Sequence, residues 1–309
     1  MAFSLRKPSE RGSVGLDIDG RYVAAAQVDN GRVTRGASLD LPPGLLRDGE
    51  VTDPQELGQH IKRFVADAGL PKNVRIGVAN QQIVVRVIEL PQIEDERQRD
   101  QAVRFQASEA IAMPLEEAVL DHQIAGHMAA PDGTPRMQVV IVAARRRMVE
   151  TLLEAVKAAG LKAEGIDLDA FALVRALGAN VRGDGDGAVV FCHLGGVTNL
   201  AVAVGSSCFF TRPLSAVWDD EDAGSRLADE IRLSIDYYMT QPQARPVSEV
   251  LLSGPGSAQA ELLESLGTHL GIPVRVAVPL GDIDASALPS GEDQHRYTVA
   301  AGLSLGAAA

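Results

Sequence analysis

The chain has 309 residues, 46% of them hydrophobic, and a mean hydropathy of +0.03. That composition argues against disorder and gives enough chain for one large or two ordinary domains. A formal net charge of −12 argues against nucleic-acid binding, which needs clustered Lys and Arg facing phosphates, and against adhesion to anionic membranes.

No apolar run is long enough to span a bilayer, and residues 1–7 lack the apolar stretch of a signal peptide. A cytoplasmic protein without direct membrane insertion is therefore expected. Cys192 and Cys208 lie in apolar runs without zinc-like spacing, so both are expected as reduced core residues, and no metal site is expected.

Residues 13–28 read as a strand, a tight Asp19-Gly20 turn and a second apolar strand, which makes a hairpin. Asp17 ends the first strand beside that turn. A carboxylate in this position resembles the start of actin-like ATPases, in which the turn wraps phosphates and the Asp holds a water on Mg²⁺. An ordinary Asp-Gly hairpin has the same sequence pattern.

A helix follows, with Asp53 as N-cap, Pro54 at its first position and Leu57, Ile61, Phe64 and Val65 on one face. Residues 74–80 form a strand. Residues 83–90 form another, residues 94–112 a polar helix, and residues 119–126 and 137–144 two more strands. Val149, Leu152, Leu153 and Val156 mark a helix over 146–159, and residues 168–177 a second one.

Residues 180–187, with the run Gly183-Asp184-Gly185-Asp186-Gly187, read as a linker. Beyond it the opening pattern repeats: strand 188–194, the turn Gly195-Gly196-Val197-Thr198, then strands 199–204 and 208–212. This echo predicts two halves of one design. Asp219-Asp220-Glu221-Asp222 reads as a solvated acidic cap on a helix carrying Leu227, Ile231 and Tyr238. Strand 249–253 enters Gly254-Pro255-Gly256 and a further helix. Residues 281–293 read as an acidic loop, and 297–306 as a small-residue helix or turn.

In this order, several stretches make the chain similar to the PilM family of type IV pilus machines, which is related to FtsA. They include Gly15-Leu16-Asp17-Ile18, Leu41-Pro42-Pro43-Gly44, Asp48-Gly49-Glu50-Val51, Val85-Arg86-Val87-Ile88-Glu89-Leu90-Pro91, Asp167-Leu168-Asp169-Ala170-Phe171 and Leu251-Leu252-Ser253-Gly254. The resemblance implies an α/β, actin-like (ribonuclease H-like) fold of two lobes. The first would cover 1–182, with a small α/β subdomain inserted at about 83–160. The second, reduced, would cover 183–309, with 294–309 packing back on the first.

The resemblance also implies a partner, the cytoplasmic N-terminal tail of a PilN-like inner-membrane protein, along with other pilus components. It implies ATP and Mg²⁺ wherever the nucleotide site is retained. The residues at that site are Asp17, Asp19, Gly20, Gly195, Gly196, Thr198, Gly254 and Gly256. Those on the candidate peptide-binding strand are Val85, Val87, Ile88 and Leu90.

The chain departs from the family where phosphate would bind. Asp19 stands where the family has Gly, Ala24 where it has Lys, and His193 where it has Asp. Two carboxylates beside a polyphosphate repel it unless a cation intervenes. Residues 213–226 are too short and too polar to form the helical subdomain that walls the cleft in relatives. The expectation is a non-enzymatic adaptor without a cofactor and with no catalytic residue. The alternative is an active ATPase of the pilus machine. A sugar kinase would need a positioned general base that no motif supplies. A membrane-bound filament protein of the FtsA type would end in a basic amphipathic helix, and residues 302–309 have no basic face.

Overall fold

The computed structural model describes residues 13–181 and 187–306, so most of the expected linker lies outside the described residues. The chain opens with the hairpin β1 (Val14–Ile18) and β2 (Tyr22–Asp29), extended antiparallel by β3 (Arg32–Asp40). A small ribbon, β4 (Leu46–Arg47) with β5 (Glu50–Val51), leads to α1 (Pro54–Asp67). The Asp53 carboxylate accepts the N–H groups of Gln55 and Glu56 at 2.8 and 2.9 Å, satisfying two donors that the first helical turn leaves free.

After β6 (Asn73–Val78) come β7 (Val84–Pro91), α2 (Glu96–Ala110), β8 (Ala118–Ala129), β9 (Pro135–Arg145), α3 (Arg146–Ala158) and β10 (Lys162–Leu168). The first main sheet has the order β10-β6-β1-β2-β3. α4 (Asp169–Leu177) then crosses to the second half: β11 (Ala188–Leu194), β12 (Thr198–Val204), β13 (Ser207–Pro213), α5 (Ala223–Met239), β14 (Val247–Ser253), α6 (Ala260–Leu270) and β15 (Val274–Val276). Its sheet has the order β13-β12-β11-β14-β15, which repeats the first strand for strand. The echo of strand, glycine turn and strand in the sequence is thus a repeat of architecture.

The insert is a three-stranded antiparallel sheet of order β7-β9-β8. β9 is buried on both faces and so reads as a continuous apolar run. Val139, Ile141 and Ala143 join α2 in a local core, while Val140, Val142 and Ala144 point into the core of the first lobe. α3 packs against α1, with Val149, Leu152 and Val156 in the first-lobe core, so the inserted sheet ends at Arg145. Periodicity finds an amphipathic helix but not the sheet it covers.

The helix expected over 168–177 begins one residue further on. β10 stays paired with β6 through Leu168, opposite Val78, and α4 starts one residue later, at Asp169. The final helix, α7 (Thr298–Ser304), lies against β1, β2 and β6. α4 lies against β11, β12 and β13, and the two helices pair with each other between the sheets. Gly302 makes that pairing possible, because a Cβ there would overlap the Ala172 carbonyl oxygen. Arg175 of α4 donates to the Gly302 carbonyl at 3.0 Å and pairs with Asp167.

The acidic 281–293 segment is more than a solvated loop. Leu280 and Leu288 are buried against Tyr22, Val33 and Tyr297, and Asp284 exchanges backbone hydrogen bonds with Gly31 and Val33. Cys192 and Cys208 are free and buried, and among the described residues no helix is long and apolar enough to cross a membrane.

Candidate functional site

The two equivalent turns, β1–β2 in the first lobe and β11–β12 in the second, face each other across the cleft. Asp19 sits in the first turn, and its carboxylate crosses to the second. Both of its oxygens lie within hydrogen-bond distance of the Gly196 N–H, at 2.7 and 2.6 Å. The Arg21 N–H donates to the same carboxylate at 3.3 Å. A Cβ on Gly196 would lie 2.5 Å from Asp19 Oδ1, and one on Gly195 would overlap Oδ2. Both glycines are therefore used to admit a carboxylate from the other lobe.

Beside this contact, Arg21 makes a two-pronged pair with Asp219, Nη1 to Oδ2 at 2.7 Å and Nη2 to Oδ1 at 2.8 Å. Its guanidinium carbon lies 5.1 Å from the centroid of the Trp218 ring. Trp218 Nε1 donates to the Gly195 carbonyl at 2.8 Å. The indole lies on Gly256, where a Cβ would come within 2.5 Å of Cδ2. Trp218 thus covers the Gly254–Gly256 turn, and the 213–226 segment ends in α5 without forming a subdomain.

The acidic run at 219–222 is exposed at the start of α5, as expected of a solvated cap, and it also carries ion pairs. Asp219 pairs with Arg21 across the cleft, Asp220 pairs with Arg226, and Asp222 caps α5 with no side-chain hydrogen bond.

Behind Asp19 lie two more carboxylates, Asp17, buried at the end of β1, and Asp169, half-buried at the start of α4. Asp17 Oδ2, Asp169 Oδ1 and His193 Nδ1 are buried without a hydrogen-bond partner. Burial raises Asp17 well above the ordinary carboxylate range, and the neighbouring Asp169 and Asp19 add to it. Asp169 is pushed up to about 8 by burial, then by Asp19 and Asp167. Asp19 is raised to about 6 by burial, partly offset by the Gly196 and Arg21 N–H groups.

His193 is depressed to about 3 by burial and by His295, so it is neutral, and its Nε2 lies 3.4 Å from the Tyr22 hydroxyl. Ala24 lies directly across the ladder from Asp17 and brings it no charge. At neutral pH the Asp17–Asp169 pair keeps a proton.

The resemblance implies ATP with Mg²⁺, and the residues present do not fit them. The inner cavity lined by Asp17, Asp19, Asp169, His193 and Asn199 holds about 30 Å³, too small for a phosphate. The open pocket of about 300 Å³ outside it, lined by Asp19, Gly20, Arg21, Asp48 and Gly196, presents carboxylates that repel a polyphosphate. The Gly196 N–H already has an acceptor, and the Gly254–Gly256 turn is covered by Trp218. Among the described residues, no three His, Cys, Asp or Glu side chains are placed to hold a metal ion. Gly20 keeps a left-handed backbone (φ 101°) in its turn, and Thr198 is buried at the start of β12. Sequence reasoning missed Asp169, Arg21, Trp218 and Asp219 as members of this site.

On the insert, Val85 and Leu90 are buried, while Val87 and Ile88 are half-buried. Val85 and Val87 pack on the first-lobe core, Ile88 and Leu90 on α2, and the strand runs beside β13. A peptide laid along β7 would meet main-chain groups rather than these side chains. An open groove of about 360 Å³ lies on the opposite side, where β8 meets α3. Val119, Val149 and Leu153 form its floor, and Arg146, Glu150, Glu154 and Lys157 line it.

Comparison with known proteins places this arrangement. The family of the type IV pilus assembly protein PilM matches residues 15–213. The structure is similar to that of a PilM–PilN type IV pilus biogenesis complex, with a TM-score of 0.82 and 24% identity, covering 97% of this chain and 100% of that one. It is also similar to the ethanolamine utilization protein EutJ from Carboxydothermus hydrogenoformans, with a TM-score of 0.52 and 15% identity over 99% of this chain and 92% of that one. A Bacteroides thetaiotaomicron protein with an actin-like ATPase fold gives a TM-score of 0.50 at 13% identity, covering 91% and 96%. The fold is actin-like.

Proposed function

The chain belongs to the family of the type IV pilus assembly protein PilM, and we propose that it works there as an adaptor. In this reading it sits at the cytoplasmic face of the inner membrane, captures the N-terminal tail of a PilN-like protein, and binds nucleotide weakly or not at all. The observation that carries the reading is the groove between β8 and α3, where the inserted sheet meets the first lobe. Its volume is in the range of peptide and small-ligand pockets, and its apolar floor offers anchor sites. The lining carries charges of both signs, Arg146 and Lys157 flanking Glu150 and Glu154, which suits a short tail with apolar anchors and charges of both signs. β8 is also an edge strand of the insert, so main-chain pairing is available to an extended peptide.

The competing reading, an active ATPase, needs a triphosphate between two turns that Asp19 and Trp218 already fill. The partner reading is tested by titrating a fluorescent peptide of the PilN-like tail against the protein. Leu153→Glu places a charge on the groove floor and is expected to weaken binding about tenfold or more, as for a central anchor position. Phe105→Ala on the exposed face of α2 is expected to leave binding unchanged. Full affinity in a folded Leu153→Glu variant would move the site elsewhere.

A further inference from the structure

The two lobes are joined in different ways at the base and at the mouth of the cleft. At the base, α4 and α7 pair between the sheets, and the first-lobe core continues into Val189, Phe191, Ala201 and Leu251 of the second. Near the cleft mouth the joining contacts described above are polar, and they come from one turn. Asp19 bonds the Gly196 N–H, and Arg21 bonds Asp219 and stacks on Trp218, which is tied to Gly195. Residues 19–21 thus grip two short segments of the second lobe, 195–197 and 218–219.

We propose that residues 19–21 are a built-in latch. The Asp19 carboxylate takes the place of an anionic ligand on the second glycine turn, and the chain closes its own cleft without one. Backbone N–H groups at such a turn form an anion-binding concavity. Here the anion is covalently part of the opposite lobe, so closure needs no ligand and no dissociation step. A carboxylate on an N–H is a charge-assisted bond, stronger than a neutral one, and it is shielded from water. Arg21 adds a two-pronged pair whose planar fork fixes the orientation of the turn. The resulting adaptor is held in a single closed form, and its peptide groove is presented on a rigid body.

The latch rests on the reading that the cleft takes no tight nucleotide. It is tested on nucleotide-free protein and without peptide, so neither affinity enters the readout. Two probes report on opposite members of the latch. One is amide hydrogen exchange at Gly196 and Val197. The other is acrylamide quenching of Trp218, the single tryptophan of the chain. The informative measurements are the crossed ones, and Trp218 quenching in Asp19→Ala is the cleaner of the two, because the Arg21 stem also lies beside Gly196. Arg21→Ala is expected to raise exchange at Gly196 about tenfold, the effect of losing one hydrogen bond's worth of closure. Asp19→Ala is expected to raise Trp218 quenching.

Asp19→Asn and Arg21→Lys keep an acceptor and a charge, fold more readily, and are expected to give the same changes in smaller measure. Arg32→Ala, which removes a pair with Asp284 away from the cleft, serves as a control and is expected to change neither probe. The proposal is overturned if Arg21→Ala leaves Gly196 exchange at the wild-type level and Asp19→Ala leaves Trp218 quenching unchanged.

Discussion

Acidification is expected to stabilise this protein between pH 8 and pH 6.5. Asp17 is buried and Asp169 half-buried behind Asp19, and burial raises both, Asp169 to about 8. In the unfolded chain both are ionised across this window, since ordinary carboxylates titrate near 4. The folded state therefore holds a proton that the unfolded state has lost. A carboxyl raised on folding contributes stability that is present at low pH and lost as pH rises through its folded value. One extra proton gives a slope of about 1.4 kcal/mol per pH unit, falling by half near pH 8. Integrated from pH 8 to 6.5, the gain is about 1.5 kcal/mol, or roughly 2–3 °C in Tm for a chain of this size.

Below pH 6.5 the buried histidines oppose the trend. His193 is depressed to about 3, and His122 and His295 are also lowered by burial. They charge more readily in the unfolded chain and withdraw stability as pH falls. Asp19, raised to about 6, gains its proton in the same range and offsets part of that loss. The expected profile therefore rises from pH 8 to 6.5 and flattens below, measured by calorimetry or by urea unfolding in a pH series. Asp17→Asn combined with Asp169→Asn removes both carboxyls with little change of shape. This double variant should lose the slope above pH 6.5. A flat wild-type profile in that window, or a double variant that keeps the slope, would refute the shared-proton argument.

Other perturbations are as definite. Gly256→Ala drives a Cβ into the Trp218 ring and the Leu194 Cβ; a loss of about 1–3 kcal/mol in unfolding free energy is expected, with a change in Trp218 emission. Ile141→Ala empties a fully buried position between β9 and α2 and should cost about 2–5 kcal/mol by denaturant melt. Calorimetric titration with ATP and Mg²⁺ should show no Kd tighter than about 1 mM, which is only about 4 kcal/mol of binding free energy. Asp19→Ala should tighten that binding.

Much of the fold is legible from the sequence because its signals are local. The strand, glycine turn and strand at 13–28 recur at 188–204, and the structure builds the same strand order from each. The doubly buried β9 reads as an unbroken apolar run, and Asp53-Pro54 marks the start of α1 to the residue. The assignment of α3 was not legible. Its stripe of Val149, Leu152 and Val156 is equally suited to the insert or to α1, and only the three-dimensional packing decides.

The site was half legible. Asp17, Asp19, Gly195 and Gly196 stand out because a carboxylate beside a glycine turn is a local pattern. Arg21–Asp219 joins residues 198 positions apart, and nothing in the spacing of either announces the other. Trp218 sits in a polar run that resembles a solvated connection, yet it covers a glycine 38 positions away. Asp169 reads as a first-turn helix acid, a position where exposed carboxylates are common. Its burial follows from α4 lying between the two sheets.

The central claim, an adaptor whose peptide capture is independent of nucleotide, is tested most directly by one titration. The PilN-like tail peptide is titrated into the purified, nucleotide-free full chain, and the titration is repeated with saturating ATP and Mg²⁺. The account predicts binding in the first experiment and the same Kd in the second. Binding that appears only with ATP and Mg²⁺ would contradict it.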